Sequence, residues 1–209
     1  MRDFQPPEEG KSEKLGRAPS SETKAPWMPG RLRACAPSWE AITDDRFVLS
    51  VIRHGYRVPF DDALGAPPAQ RHPNRASCKE HAEFVNEALA EALQMGVVRR
   101  VPDWVPHLVL PLGVVVQEDK KRLIYDASKL DKNTKKIPFK FENLETHGRT
   151  VFGGKSFGYA LDLKKAFYHF SIHPEYTKYF GFKWEGLAPT EGELQSKTFE
   201  WCQVPLERR

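Results

Sequence analysis

Apolar residues recur along this chain in two rhythms, and the change between them falls near Gly96. Upstream, Phe47, Val48, Val51 and Ile52 recur at the three- and four-residue intervals of a helix with one buried face. Thr43-Asp-Asp45 supplies a cap and first-turn carboxylates for the positive end of that helix, and Gly55 is placed to end it. Phe84, Val85, Ala88, Leu89, Ala92 and Leu93 make a second stripe, opened by the capping-box spacing Ser77-Cys-Lys-Glu80 and stopped by Gly96. Tyr56 to Phe60 reads as extended, and residues 61–76 as a Pro/Gly/Asn-rich linker. Downstream, the pattern becomes continuous apolar runs bounded by turn residues, which predicts strands. His107 to Gln117 and Arg122 to Tyr125 predict a hairpin with the charged Glu118-Asp-Lys-Lys121 as its turn. Residues 126–136 read as a short helix or irregular turn, and 137–157 as a basic loop with a helical portion. Further strands are predicted over 158–163, 179–184 and 197–204, with a loop over 185–196 and no internal repeat.

Residues 1–36 show no hydrophobic period and are rich in Pro, Glu, Lys, Ser and Gly. Such a segment buries too little apolar surface to offset the entropy of ordering it, so a disordered tail is expected, with order starting near Trp39. The remaining divisions are a helical lead-in segment and linker over 37–76, a region over 77–157 and a last region over 158–209. The formal charge of +4 is compatible with a nucleic-acid partner without specifying one. Cys35, Cys78 and Cys202 are too scattered for a disulfide framework. Cys78-Lys-Glu-His81 has no second ligand pair at finger spacing, so structural roles are expected. No run of about 18 apolar residues and no signal-peptide core occurs, and an intracellular, reducing compartment (cytoplasm or nucleus) is the expectation. No Ser/His/Asp or Cys/His set stands in a recognisable context for a protease. His169 and His173 are four apart but fall on a predicted extended stretch, which disfavours a ligand helix.

The stretch with most chemical content is Tyr159-Ala-Leu-Asp-Leu-Lys-Lys-Ala-Phe-Tyr-His-Phe-Ser-Ile-His-Pro174, followed by Tyr179-Phe-Gly-Phe-Lys-Trp184. It reads as a short apolar strand delivering one carboxylate, Asp162, to its end, where a rigid sheet would fix a hard oxygen ligand for a divalent ion. Residues 39–60, 84–137 and 159–206 together resemble the reverse transcriptase of retrotransposons, most closely the tyrosine-recombinase (DIRS-like) group. The resemblance covers about three quarters of the chain and keeps the family's order: a helix-rich start, a basic finger hairpin, Arg122-Leu-Ile-Tyr-Asp-Ala-Ser-Lys-Leu130, then Asp162-Leu-Lys-Lys-Ala-Phe167, Ile172-His-Pro174 and Gly181-Phe-Lys-Trp184.

That resemblance implies an α+β fold: fingers over 77–157 and an incomplete antiparallel palm over 158–209, part of the right-hand polymerase architecture. It implies RNA-directed DNA synthesis, with an RNA template, a DNA primer, a dNTP and Mg²⁺, by nucleotidyl transfer over two ions roughly 4 Å apart. Asp162 matches the first metal-binding aspartate. Leu163 follows it, at a position whose backbone carbonyl can face a metal. Phe167 falls on the aromatic position under the deoxyribose that excludes a 2′-hydroxyl; a core aromatic is the plain alternative. Arg122 matches the finger arginine on the incoming triphosphate, a role that suits a planar five-donor guanidinium. Lys120 and Lys121 join it as phosphate contacts, while the usual upstream finger lysine has no clear counterpart near Gln117 and Glu118. Asp126 matches an acidic position read as structural. From Lys120 to Lys155 there are ten Lys or Arg and four Asp or Glu, an excess able to track a template backbone or simply to form a solvated basic surface.

Two departures qualify the match. Phe199-Glu-Trp-Cys-Gln-Val-Pro-Leu206 begins the family's next motif but continues as Glu207-Arg-Arg209, and no Tyr-x-Asp-Asp hairpin is present. The adjacent aspartates, Asp44-Asp45 and Asp61-Asp62, precede the palm and read as a helix start and a loop. The expectation is a fragment inactive alone, with a nucleic-acid- or protein-binding remnant or a decayed reading frame as alternatives. Half a palm sheet would leave strands 158–163 and 197–204 with an unpaired edge, Trp184, Phe199 and Trp201 uncovered, and the chain poorly soluble.

Overall fold

The computed structural model describes residues 28–118, 120–138, 163 and 165–205. The predicted strand over 158–163, apart from Leu163, and most of the basic loop over 137–157 lie outside these residues, as does all of the predicted tail before Met28.

Order begins earlier than expected. Helix α1 (Arg31–Ala34) lies within the segment assigned to the tail, and α2 (Ala36–Glu40) begins at that segment's last residue. Both pack on α3 (Arg46–His54), and Glu40 accepts a 3.0 Å hydrogen bond from Nε of Arg53. The ends of α3 are those written locally: Asp45 Oδ1 accepts the amides of Phe47 (2.8 Å) and Val48 (3.1 Å), and Gly55 closes it at φ +93°. Its stripe is only partly buried: Ile52 is in the core, whereas Phe47 is exposed. After Gly55 the extended piece forms a parallel bridge from Tyr56 to Ile172, tying the first helices to the second half of the chain.

The second helical stretch is interrupted. It runs as α4 (Ala76–Glu80) and α5 (Ala82–Gln94), broken at His81. The predicted capping box is not made, because Ser77 Oγ accepts the amide of Val114 at 3.0 Å. A strand N–H from 37 residues away outcompetes the local cap. The C-terminal end follows expectation: Gly96, at φ +69°, and Val97 donate to Leu93 and Ala92, the paired bonds of a Schellman motif.

The predicted run over 107–117 divides between two sheets. Its first part, β3 (Leu108–Val109), lies in a five-stranded mixed sheet with β1 (Gln70–Arg71), β2 (Val98–Val101), β6 (Gly181–Lys183) and β7 (Thr198–Trp201), in the order β1-β3-β6-β7-β2. Its second part, β4 (Leu112–Gln117), pairs antiparallel with β5 (Lys120–Tyr125). Pro111, which has no N–H for a ladder, stands at the switch. A helix α6 (Ser128–Asp131) follows β5.

The expectation of an unpaired edge at 197–204 is overturned. β7 lies between β6 and β2 and pairs antiparallel with both. The covering strand is β2, Val-Arg-Arg-Val, in which sequence analysis saw no strand. Trp184, Phe199 and Trp201 are accordingly buried, at 7%, 0% and 3% exposure. Phe182 stacks on Phe199 (centroids 5.2 Å apart), and Tyr125 meets Trp201 edge-on at 6.0 Å. The core between sheet and α5 adds Val85, Leu89, Leu108 and Leu110, all fully buried. The molecule is therefore α+β with a mixed sheet. No helix among the described residues is long and apolar enough to cross a membrane.

Candidate functional site

The basic hairpin is the predicted feature that the structure positions most fully. Its ladder runs Leu112↔Tyr125 to Gln117↔Lys120, so two residues, rather than four, connect the strands. Lys120, Lys121 and Arg122 are strand residues, not turn residues. Side chains alternate across a strand, and this parity sorts the three cations. Lys120 and Arg122 share one face with Gly113, Val115 and Ile124; Lys121 projects from the other, with Leu112, Val114 and Tyr125. All three cations are exposed. Burial of Leu112, Val114, Ile124 and Tyr125 anchors the hairpin's base, while its tip stands in solvent.

The face bearing Lys120 and Arg122 ends in an ion pair that sequence analysis missed. A Cβ on Gly113 would lie 2.9 Å from Cδ of Arg75, so the glycine leaves room for that side chain to cross the hairpin. Arg75 reaches the carboxylate of Asp126, and its backbone amide donates to Leu112 at 2.9 Å. A hydrogen bond from Ser128, then the Arg75 guanidinium, hold the Asp126 carboxyl below its ordinary pKa. Arg75, Asp126 and Lys135 line one cleft with Tyr56 and Lys132. The only trace of Arg75's role in the sequence was a glycine inside an otherwise β-branched run.

The aspartate position cannot be joined to this face: Asp162 lies outside the described residues. Leu163 is 70% exposed. Phe167 sits on a 3₁₀ turn (Ala166–His169) and is 51% exposed, so it is not a core aromatic. Its neighbour Tyr168 is the packed ring, stacking on Trp201 at 6.0 Å, and Tyr168 C=O accepts the Gly30 amide. Lys165, at φ +54°, contacts Glu91 of α5. Among the described residues no group of three or more His, Cys, Asp or Glu is placed to hold a metal ion. Cys78 is buried and its thiol is pushed up to about 11 by that burial, the state of an inert structural cysteine.

A second polar constellation lies in the sheet. Glu200 of β7, fully buried, accepts from Arg99 across the ladder at 2.8 Å, and Arg99 also reaches Thr177 at 3.1 Å. The Arg100 side chain, 5% exposed, donates to the Ser196 carbonyl at 2.5 Å, and its guanidinium lies 4.6 Å from the centre of the Phe199 ring. These groups clamp the loop 185–196 and pair β2 with β7; they are structural.

No protein-family model matches the chain, and no curated protein does. Among solved structures, the chain is similar to that of the foamy viral protease-reverse transcriptase dRH in complex with double-stranded DNA. The identity is 18% over 73% of this chain, at a TM-score of 0.43. The chain spans only 24% of that protein's length.

Proposed function

We propose that this chain is a fingers-and-first-palm segment of a retroelement reverse transcriptase, of the DIRS-like type, acting on an RNA template, a DNA primer and dNTPs. The observation that carries the reading is the hairpin: Arg122, from the motif Arg-Leu-Ile-x-Asp-x-Ser-x-Leu, is exposed on the same strand face as Lys120. A planar guanidinium beside an ammonium on a rigid two-stranded support suits a triphosphate, which presents oxygens that accept bidentate hydrogen bonds. Arg75 and Asp126, paired at the base of that face, hold the support in place. In this reading Lys121, on the opposite strand face, takes no part in the role. Asp162 and the Leu163 carbonyl remain assigned to Mg²⁺ by motif alone.

The test is titration of the purified chain with dTTP. Arg122→Ala is expected to weaken binding at least ten-fold, the scale of a hydrogen bond to a charged group, about 1.5–3 kcal/mol. Lys121→Ala is expected to change it less than two-fold. Equal losses in both variants would mean that general charge, not a face of the hairpin, binds the nucleotide. Primer extension on RNA, beside Asp162→Ala, then asks whether chemistry follows binding.

A further inference from the structure

Trp104 is the most exposed large apolar side chain among the described residues, at 81%. It stands in the turn Pro102-Asp-Trp-Val-Pro106, outside every periodic run, so packing does not account for it. The turn is held from several directions. Arg71 donates to the Asp103 carbonyl at 2.6 Å, and the Val105 amide to Pro102 at 3.0 Å. The Asp103 carboxylate accepts the hydroxyls of Thr198 (2.5 Å) and Ser196 (2.8 Å), which lower its pKa. The ring is thus presented on a fixed backbone.

Trp104 borders two clefts. One, of about 1040 Å³, lies between α4 and the sheet, with Lys79 and Lys183 on its walls and Val109 and Thr198 among its lining. The other, of about 390 Å³, contains Lys178 and His107. Arg71 borders both. Two carboxylates line the first cleft as well, Asp103, which the hydroxyls keep ionised, and Glu185, 3.9 Å from both Lys183 and Lys197; Arg71, Lys79 and Lys183 outnumber them there, and Lys178 with Arg71 borders the second cleft.

We propose that Trp104 and its two flanking clefts form a single-stranded nucleic-acid site: a base stacks on the indole, and the phosphates on either side meet Lys79, Lys183 and Arg71 in one cleft and Lys178 in the other. A lone aromatic between cations is the arrangement that binds bases by their π-faces and backbone by charge. Lysine is depleted from protein-docking patches, whereas Lys79, Lys183 and Lys178 all border these clefts. The site does not depend on the nucleotide-binding role of Arg122, and its readout needs neither a triphosphate nor a divalent ion.

The experiment is fluorescence anisotropy of a labelled twelve-nucleotide oligothymidylate with the full chain, without divalent ions, over a range of salt. Trp104→Ala is expected to weaken binding by about ten-fold or more, as removal of one base–aromatic stack does, with Trp104→Phe recovering most of it. The double variant Lys79→Glu/Lys183→Glu is expected to flatten the salt dependence, by about 0.7 in log–log slope for each phosphate that is no longer neutralised. Trp104 is exposed, so its truncation leaves the fold intact; an unchanged thermal melt checks this. Oligonucleotide binding unaltered in Trp104→Ala overturns the proposal, as does a wild-type chain that fails to bind. Competition by an apolar peptide but not by unlabelled oligonucleotide would also overturn it and assign the clefts to a protein.

Discussion

Gly55 offers the sharpest test of how the two halves of the chain are joined. It lies at φ +93° and ψ 162°, a region essentially restricted to glycine, and a Cβ there would lie 2.7 Å from the His173 nitrogen and 2.8 Å from the Ile172 carbonyl carbon. Those are backbone atoms, held by the Tyr56–Ile172 bridge, and cannot swing aside as a side-chain tip can. For Gly55→Ala the backbone strain costs about 1–3 kcal/mol and the overpacking about 1–3 kcal/mol. The smaller entropy of the unfolded chain returns about 0.4–1 kcal/mol. The net destabilisation is about 3 kcal/mol, a large share of the ~5–15 kcal/mol typical of a folded domain. Gly65 is the matched control: its φ is +62°, but a Cβ would meet nothing within 4 Å. Gly65→Ala therefore carries only the left-handed cost of about 1–2 kcal/mol, less the same entropy return, or about 1 kcal/mol. In urea, with a slope near 2 kcal/mol/M, the Gly55 variant should unfold about 1 M below the Gly65 variant. Midpoints within about 0.3 M of each other would refute the close approach of α3's end to residues 172–173, and with it the docking of the first helices on the second half of the chain.

Other outcomes follow from the same packing. Arg100→Ala should free the loop 185–196, seen as faster proteolysis there, and cost about 1.5–3 kcal/mol as its carbonyl partners lose a charged donor. Phe199→Ala, at a fully buried ring between Phe182 and Arg100, should cost about 3–5 kcal/mol by chemical denaturation. Asp103 and Asp126 both have folded pKa values below the ordinary 3.8, so the stability they contribute is present above that value and lost as pH falls through their folded pKa values. Urea midpoints should therefore decline below about pH 4, and Asp103→Asn should flatten that decline; an equally steep decline in the variant would refute the assignment.

The sequence by itself determined the elements whose ends are closed by near neighbours. Asp45 caps α3 within three residues, Gly55 and Gly96 end their helices through bonds to the preceding turn, and the apolar runs at 181–183 and 198–201 are strands. The linked motifs also pointed to Arg122, with Lys120 and Lys121 beside it, as expected phosphate contacts. Only the tertiary structure decided matters in which a distant partner competes with a local one. Ser77 leaves its helix cap for Val114; Pro111 divides one apolar run between two sheets; and the hairpin register pulls Lys120 and Lys121 out of the turn, putting Lys121 on the opposite face. β2 shows the reason most plainly. Two adjacent arginines argue against a strand locally, yet Arg99 and Arg100 find Glu200, Ser196 and Phe199 about a hundred residues away. Their charge is matched across space, and no period along the chain records that.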